Sequence, residues 1–325
     1  MTNINNIITF DEVADKVYNI TKTENTVKLD RENFYRNENR RYVSSDAYSE
    51  YGFSSLGRTL DFPYNFVKKI EETNPLLAAN IVEDRMRNYF EKTKSPFYIR
   101  EFLGKGCGCV SSRYAYFDDN EVCDVIDRSP LKNLHYVSSY ISPERLHLRA
   151  LDPVPFKVDG DDSDHYFAFV VDNSMVGASS FKIQLGVWRQ TCSNGMIIPI
   201  KEYVIYRQIH KRNEKNIVSI ADEFNEAIEL ISEKKEEIKR KFQQLVTEKA
   251  TIESLDEEAK QAYIGRRLNL SAKETLKLLG IYKAYTIEFG RNSKWALLNA
   301  VTEFARDLPN LERREMVERK ALLVA

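Results

Sequence analysis

Apolar residues follow helical spacing in the first and last parts of the chain and strand-like spacing in the middle. Between residues 54 and 90 they recur every three or four positions, and Pro63 and Pro75 suit first helical turns, so we predict three short helices. Between residues 97 and 206, runs of β-branched and aromatic residues are separated by Gly, Asp, Asn and Ser, which predicts a series of strands. One helix from Asn120 to Arg128 interrupts these strands.

The last third of the sequence is predicted to be helical. Apolar residues from Ile217 to about Val246 fall at steps of three, four or seven in a densely charged segment, which predicts one long amphipathic helix. Ser271 and Glu274 have the spacing of a capping box, and a further helix is predicted to start near Ser293. The predicted class is α+β, with a mostly antiparallel central sheet flanked by an N-terminal helical segment and a C-terminal helical region.

Three regions follow from this pattern. Residues 1–47 are polar and carry charge without a clear period, which predicts an N-terminal arm. Residues 48–212 contain the N-terminal helices and the β-rich core, and residues 213–325 form a helical region that packs on the core or extends from it.

Composition and charge narrow the function. The chain has 325 residues, of which 42% are hydrophobic and 30% charged, as in a globular protein with a well-solvated surface. Because 48 Lys and Arg face 49 Asp and Glu, a nucleic-acid partner would have to be met by a local basic patch, and a wholly basic binder is excluded. No apolar run reaches 18 residues and no leader pattern opens the chain, so we expect a cytoplasmic protein without a membrane partner.

Candidate chemical groups are few. Cys107 and Cys109 lack the second Cys or His pair that a zinc site needs, so reduced strand cysteines are the favoured interpretation. The acidic segment 159–164 lacks the alternating spacing of a calcium loop and is interpreted as a solvated turn. Cys192 lies near Arg189, but no motif supplies a base for a nucleophilic thiol. Phosphate-loop and dinucleotide fingerprints are absent, so we expect no metal and no cofactor, and a binding protein is favoured over an enzyme.

Aromatic and basic residues are interleaved at several positions, as in proteins that bind single strands by combining phosphate attraction with base stacking. The stretch RQTCSNGM adds an arginine after a buried strand and an Asn-Gly pair suited to a tight turn. The alternative is that these tyrosines are sheet residues and these arginines are ordinary surface charges. The predicted nucleic-acid-binding residues are Arg113, Tyr114, Arg189, Asn194, Tyr206, Arg207, Lys211 and Arg212.

Four segments appear in an order that resembles a known family: YGFSSLGRTLDFPYNFVKKI, GCVSSRYAYFDDNEVCDVI, RQTCSNGMI and SKWALLNAVTEFARDL. Over roughly Tyr48 to Leu308 the chain resembles the phage/plasmid-like proteins catalogued as domain of unknown function 932. The resemblance implies a role in replication, recombination or conflict with host defence, and it carries over no catalytic residues.

Two hypotheses result. The first is a phage- or plasmid-type nucleic-acid-binding protein that favours single-stranded DNA and acts in recombination or replication. The second is a non-enzymatic accessory or anti-defence protein that binds a host or phage protein. The predicted helix from Ile217 to Val246 favours the second, because its apolar stripe is suited to pairing with another chain, including a second copy.

Overall fold

The computed structural model describes residues 7–36, 40–189, 196–210 and 217–324, and it confirms the α+β class. The α-helices of the described residues are α1 (Phe10–Thr21), α2 (Arg31–Tyr35), α3 (Glu50–Leu60), α4 (Tyr64–Thr73), α5 (Pro75–Thr93), α6 (Asp119–Asp127), α7 (Ile217–Glu229), α8 (Ile231–Thr247), α9 (Glu257–Leu268), α10 (Ala272–Glu288), α11 (Lys294–Arg306) and α12 (Leu311–Val324). The strands are β1 (Asn25–Leu29), β2 (Phe97–Phe102), β3 (Lys105–Ser111), β4 (His135–Ser142), β5 (Arg145–Val158), β6 (Asp161–Asn173), β7 (Phe181–Arg189) and β8 (Met196–Gln208).

A small antiparallel sheet, in the order β1-β2-β3, packs against the three predicted helices α3, α4 and α5. Their common core includes the fully buried Leu56, Val82 and Ile99. Helix α3 lies very close to β3, because a Cβ atom on Gly52 would stand 1.9 Å from the carbonyl oxygen of Gly106. Only glycine at position 52 allows this approach.

The larger sheet is an antiparallel meander in which each strand pairs with the next along the chain, in the order β4-β5-β6-β7-β8. Because successive side chains of a strand point to opposite faces, Leu146 and Leu148 of β5 enter the main core while His147 between them lies on the other face. That core also contains Phe224, Phe242 and Trp295 of the C-terminal helices. The core side of the sheet is thus covered, and its other side is called the outer face below.

The amphipathic segment predicted from Ile217 to Val246 is helical along nearly all its length but is divided at Leu230 into α7 and α8. Its apolar stripe is not available to another chain, since Phe224, Ile238 and Phe242 are fully buried against the sheet.

The sequence predicts a polar arm over residues 1–47, and the described part of this segment contributes to both cores. Helix α1 buries Phe10, Val13 and Val17 in the main core, while strand β1 pairs with β2 and buries Leu29 in the smaller one. The apolar residues of α1 have helical spacing, but they are few and lie among many charged ones. None of the described helices is long and apolar enough to cross a membrane.

The predicted starts of the late helices are confirmed. Ser271 and Glu274 form the capping box of α10, and the side chain of Ser293 accepts a hydrogen bond from the backbone of Ala296 at the start of α11. The helix predicted from Asn120 is α6, which is capped instead by a box between Asp118 and Glu121.

Candidate functional site

A polar cleft runs along the outer face of the larger sheet. It consists of a large cavity of about 940 Å³ and a small cavity of about 670 Å³, which share Tyr51, Ala178 and Ser179 in their walls. The sheet forms the floor of the large cavity, and α12 lines it with Arg319 and Lys320. The small cavity lies between α3 and the ends of β3 and β8.

The floor of the cleft follows one line of side chains across all five strands. These residues, called the cross-strand row, are mutual register partners, one from each strand in turn: Tyr140, His147, Asp172, Lys182 and Arg207. Register partners of an antiparallel sheet place their Cβ atoms about 4.5–5.5 Å apart. An aromatic ring, an imidazole, a carboxylate and two cations therefore stand side by side on the outer face.

Asp172 is the centre of the row and is buried. Its Oδ1 atom lies 2.8 Å from Nδ1 of His147 and 3.1 Å from a terminal nitrogen of Arg145, and its Oδ2 atom lies 3.1 Å from Nζ of Lys182. Burial alone would raise the pKa of this carboxyl, but the hydrogen bond with His147 and the charges of Lys182 and Arg145 hold the pKa well below its ordinary value. Asp172 is therefore ionised at neutral pH.

A chain of buried polar groups continues from Asp172 to α12. Arg149 donates its Nε hydrogen to Nε2 of His147 at 3.1 Å, and one of its terminal nitrogens donates to Glu318 at 3.1 Å. Glu318 is fully buried and also accepts from Arg314 at 2.9 Å. The floor of the cleft and the helix on its side are thus joined by one network of hydrogen bonds and ion pairs.

Among the side chains that the structure describes, the lining of the cleft has a positive excess, although the whole chain has a net charge of −1. Of these described lining residues, three are acidic, namely Glu50, Glu144 and Asp172, and six are basic, namely Arg58, Arg145, Lys182, Arg207, Arg319 and Lys320. Three tyrosines, Tyr51, Tyr114 and Tyr140, lie among the basic groups. This is the local basic patch, with aromatic rings, that the composition requires of a nucleic-acid binder.

Two of the predicted binding residues, Tyr114 and Arg207, line the small cavity together. Arg207 is exposed, and its Nε atom donates to the hydroxyl of Ser180 at 3.3 Å. Arg113 is also exposed. It lies next to the small cavity, because its backbone N–H donates to the side chain of Ser111, which lines that cavity. Tyr114 and Arg207, which are 93 positions apart in the sequence, are therefore brought to one surface.

Tyr114 is held in a fixed orientation. Its ring stacks on the imidazole of His210 with 5.2 Å between ring centres, and its hydroxyl donates to the backbone oxygen of Ser174. His210 lies 3.1 Å from the side-chain oxygen of Asn173, whose amide nitrogen donates to the fully buried Asp119. A second buried chain therefore fixes the aromatic wall of the small cavity.

Tyr206 and Arg189 lie on the core side of the sheet and not in the cleft. The Tyr206 ring packs against Phe181 and Phe224 in the main core. Arg189 is buried, and its guanidinium contacts Asp161 and Glu288, each through a hydrogen bond of 2.9 Å. Both side chains are buried on the core side, so the structure does not bring them to the surface where Tyr114 and Arg207 lie.

Asp161 explains why the apolar strand β7 ends in a buried arginine, Arg189. Its carboxylate also accepts a hydrogen bond from the indole N–H of Trp295 at 3.0 Å, which ties β6 and β7 to α11. The acidic segment 159–164 is thus not fully a solvated turn, because Asp161 is buried. The reason is that β6 begins at Asp161, in register for this side chain to face the core.

The remaining predicted residues, Asn194, Lys211 and Arg212, lie outside the described residues, as does Cys192. Cys107, Cys109 and Cys123 are free and buried. Burial raises the pKa of Cys107 to about 11 and that of Cys109 to about 12, so both are thiols at neutral pH. Within the described part of the chain, no group of three His, Cys, Asp or Glu side chains is placed to hold a metal ion.

The sequence did not point to the centre of the cleft, although a signal was present. In β5, Arg145, His147 and Arg149 alternate with two leucines and an alanine, which is the pattern of a strand with one apolar and one polar face. Asp172 and Lys182 are single polar residues within apolar runs and carry no signal of their own.

The fold and the cleft define an α+β protein with a basic, tyrosine-lined cleft on the outer face of an antiparallel meander. The chain belongs to the family described as "Domain of unknown function (DUF932)", whose model matches residues 107–320. The match contains the whole cross-strand row and the lining residues of α12, whereas Tyr51 and Arg58 of α3 lie outside it. No curated protein and no solved structure matches the chain.

Proposed function

We propose that this protein binds nucleic acid in the cleft, that single-stranded DNA is the favoured ligand, and that it acts in the replication or recombination of a phage or plasmid in the bacterial cytoplasm. The observation that supports the proposal is the gathering of six basic side chains and three tyrosines in one continuous cleft. Basic groups attract the phosphates, and tyrosine rings provide faces on which unpaired bases stack.

The shape of the cleft favours a strand over a compact small molecule. The large cavity alone, at about 940 Å³, is at the upper end of the range for small-molecule sites, about 300–1,000 Å³, and it continues into the small cavity. An extended ligand is needed to occupy both. A duplex presents its backbone but keeps its base faces stacked, so it could not use Tyr51, Tyr114 and Tyr140 in this way.

The hydrogen bonds of His147 favour binding over catalysis. Its Nε2 atom accepts from Arg149 and its Nδ1 atom is bonded to Asp172, so both ring nitrogens are occupied. A general base needs an accessible lone pair within reach of the substrate proton. We therefore assign this histidine a structural part in the cleft.

A protein partner is the second candidate, and a different surface favours it. Phe66 of α4 and Leu76 and Leu77 of α5 are exposed large apolar side chains on two helices that contact each other. Exposed apolar surface that forms a contiguous patch is typical of protein interaction sites. This surface would serve an accessory or anti-defence protein, or a contact between copies of the chain.

The proposal is tested by fluorescence anisotropy with labelled oligo(dT) of about 20 nucleotides and with a duplex of the same length. We expect micromolar or tighter binding of the single strand at about 50 mM NaCl, weaker binding of the duplex, and a steep loss of affinity with salt. The double variant R58A/R207A should weaken binding at least about tenfold. Its control is K273A together with K283A on α10, which removes the same charge outside the cleft.

Absence of binding at micromolar protein and low salt would contradict the proposal, as would equal losses in the cleft and control variants. A pull-down from host lysate, with and without nuclease, tests the second candidate. A partner protein that survives nuclease and is lost in the variant F66S/L76S would support it.

A further inference from the structure

The cross-strand row contains a buried carboxylate that contacts two of the basic groups of the cleft. We propose that Asp172 is a positioning residue, which sets Arg145 and Lys182 as a two-pronged receptor for one phosphate group of the bound strand. This inference rests on the proposed function and adds to it the place where a single backbone phosphate is bound.

Asp172 cannot turn away from its partners. Arg149 can only donate through its Nε–H, so Nε2 of His147 is an acceptor and the ring hydrogen is on Nδ1, where it points to Asp172. Arg149 is itself fixed by Glu318. A rigid chain of buried groups therefore determines where the carboxylate oxygens lie.

Each oxygen of Asp172 then fixes one cation. Oδ1 accepts a hydrogen bond from Arg145 and Oδ2 forms an ion pair with Nζ of Lys182, each at 3.1 Å. The two basic side chains remain 21% and 18% exposed, respectively, and both line the large cavity. A guanidinium has five N–H donors and an ammonium has three, so the contact with Asp172 uses only part of the donors of each group.

Positioning has a cost that makes the inference testable. Asp172 adds a negative charge to the floor of the cleft, so by charge alone its removal should favour an anionic ligand. Without it, however, two long side chains with many rotamers must be ordered when the phosphate arrives, and this lowers affinity. The two effects have opposite signs, and they can be measured separately.

The same network of buried polar groups fixes helix α12, which lines the large cavity. Glu318 anchors α12 to Arg149, and the next two residues of that helix, Arg319 and Lys320, line the large cavity. Helix and floor are thus fixed by one buried chain, which places further basic groups around the position assigned to the phosphate.

The test compares Asp172→Asn with Glu50→Gln. The amide oxygen of Asn can replace Oδ1 and keep the bonds from His147 and Arg145, whereas its NH₂ group would face the Lys182 ammonium and release it. Glu50 lines the same cavity, is 79% exposed, and touches neither basic prong, so its variant removes the same charge without releasing Lys182.

With oligo(dT) as the ligand, E50Q should bind about twofold more tightly than the wild type, because it removes a negative charge from the cleft and releases only the exposed Lys68, which is not one of the two prongs. D172N should bind at least about fivefold more weakly, and its plot of log affinity against log salt should be shallower by about 0.7, the slope of one lost phosphate contact on a single strand. D172N binding as tightly as E50Q would overturn the inference.

Circular dichroism and thermal melting establish whether D172N is folded. If it is not, Lys182→Gln and Lys320→Gln replace it. Loss of Lys182, which contacts Asp172, should cost at least about fivefold in affinity, and loss of Lys320, which does not contact Asp172, about twofold, so equal losses would overturn the inference. A wild-type protein that fails to bind oligo(dT) contradicts the proposed function itself, whereas wild-type binding with an unweakened D172N contradicts only the role of Asp172.

Discussion

Nε of Arg149 lies 3.1 Å from Nε2 of His147, and this single hydrogen bond fixes the tautomer of the imidazole. A guanidinium has donors only, so Nε2 must accept and Nδ1 must carry the hydrogen that is bonded to Asp172. The buried charges on either side of His147 are paired, Asp172 with Lys182 and Arg145, and Arg149 with Glu318.

The close approach of α3 to β3 should make Gly52 sensitive to the smallest substitution. We expect Gly52→Ala to destabilise the protein by about 1–3 kcal/mol, since the new methyl group would overlap the carbonyl oxygen of Gly106 and the two elements must separate. The measurement is the free energy of unfolding in urea. Gly280→Ala in α10 is the control, because a Cβ there meets open space and should stabilise the helix by up to about 1 kcal/mol.

The buried pair of Asp161 and Arg189 should contribute strongly to stability. Asp161→Asn leaves the Arg189 guanidinium buried without its carboxylate, a change that costs about 3–5 kcal/mol in similar pairs. Glu288→Gln removes the partly exposed partner of the same arginine and should cost under about 1 kcal/mol. Equal losses in chemical denaturation would show that Asp161 is not the principal partner.

Acid should weaken the same pair. Burial alone would raise the pKa of Asp161, but contact with His165 and hydrogen bonds from Arg189 hold it well below its ordinary value. The stability that this carboxylate contributes is therefore complete above about pH 4 and is lost as the pH falls further, toward the folded-state pKa. Below pH 4 the wild type should lose stability more steeply than D161N, as measured by thermal melting across that range.

Asp119 should give stability a pH dependence opposite in sign to the one that Asp161 gives. Burial raises the pKa of this carboxyl from 3.8 to about 7, against the hydrogen bond from Asn173, which lowers it. Between about pH 4 and pH 7 the folded protein holds a proton that the unfolded chain releases, so the free energy of unfolding should fall as the pH rises.

Asp119→Asn tests this linkage, because it removes the titrating group and should flatten the pH profile between about pH 4 and pH 7. Urea unfolding at several pH values supplies the measurement, with the exposed Asp15→Asn as the control. A profile of D119N that matches the wild type would show that Asp119 is not the source.

Neighbouring residues of β8 should separate stability from binding. Tyr206→Leu removes a ring from the core and should lower stability by about 2–4 kcal/mol without changing affinity for oligo(dT). Arg207→Ala should leave stability within about 0.5 kcal/mol and weaken binding, with a shallower salt dependence. Loss of binding in folded Y206L would contradict the assignment of this ring to the core.

The sequence predicted the class and most element positions because these depend on local spacing. Capping residues and apolar periodicity placed α10 and α11 correctly. The apolar run from Ser180 to Trp188 likewise became β7, because its β-branched and aromatic side chains suit a buried strand.

The cleft could not be predicted in the same way, because it depends on the register between strands. Whether Asp172 faces His147 or an apolar neighbour is decided by turns and bulges between them, and the bulges in β5 leave no clear sign in the sequence. Tyr206 and Arg207 show the same limit. Both fit an aromatic and basic motif, but adjacent residues of a strand point to opposite faces, so only Arg207 reaches the cleft.

Because the larger sheet is a meander, the cleft depends on the register of all five strands. One extra residue inside β6, before Asp172, would turn this carboxylate toward the main core and present Val171 to Lys182 and His147. The row would be broken at its centre although every cleft residue remained in the sequence. The lengths of these strands therefore carry as much information about the cleft as the identities of the side chains that line it.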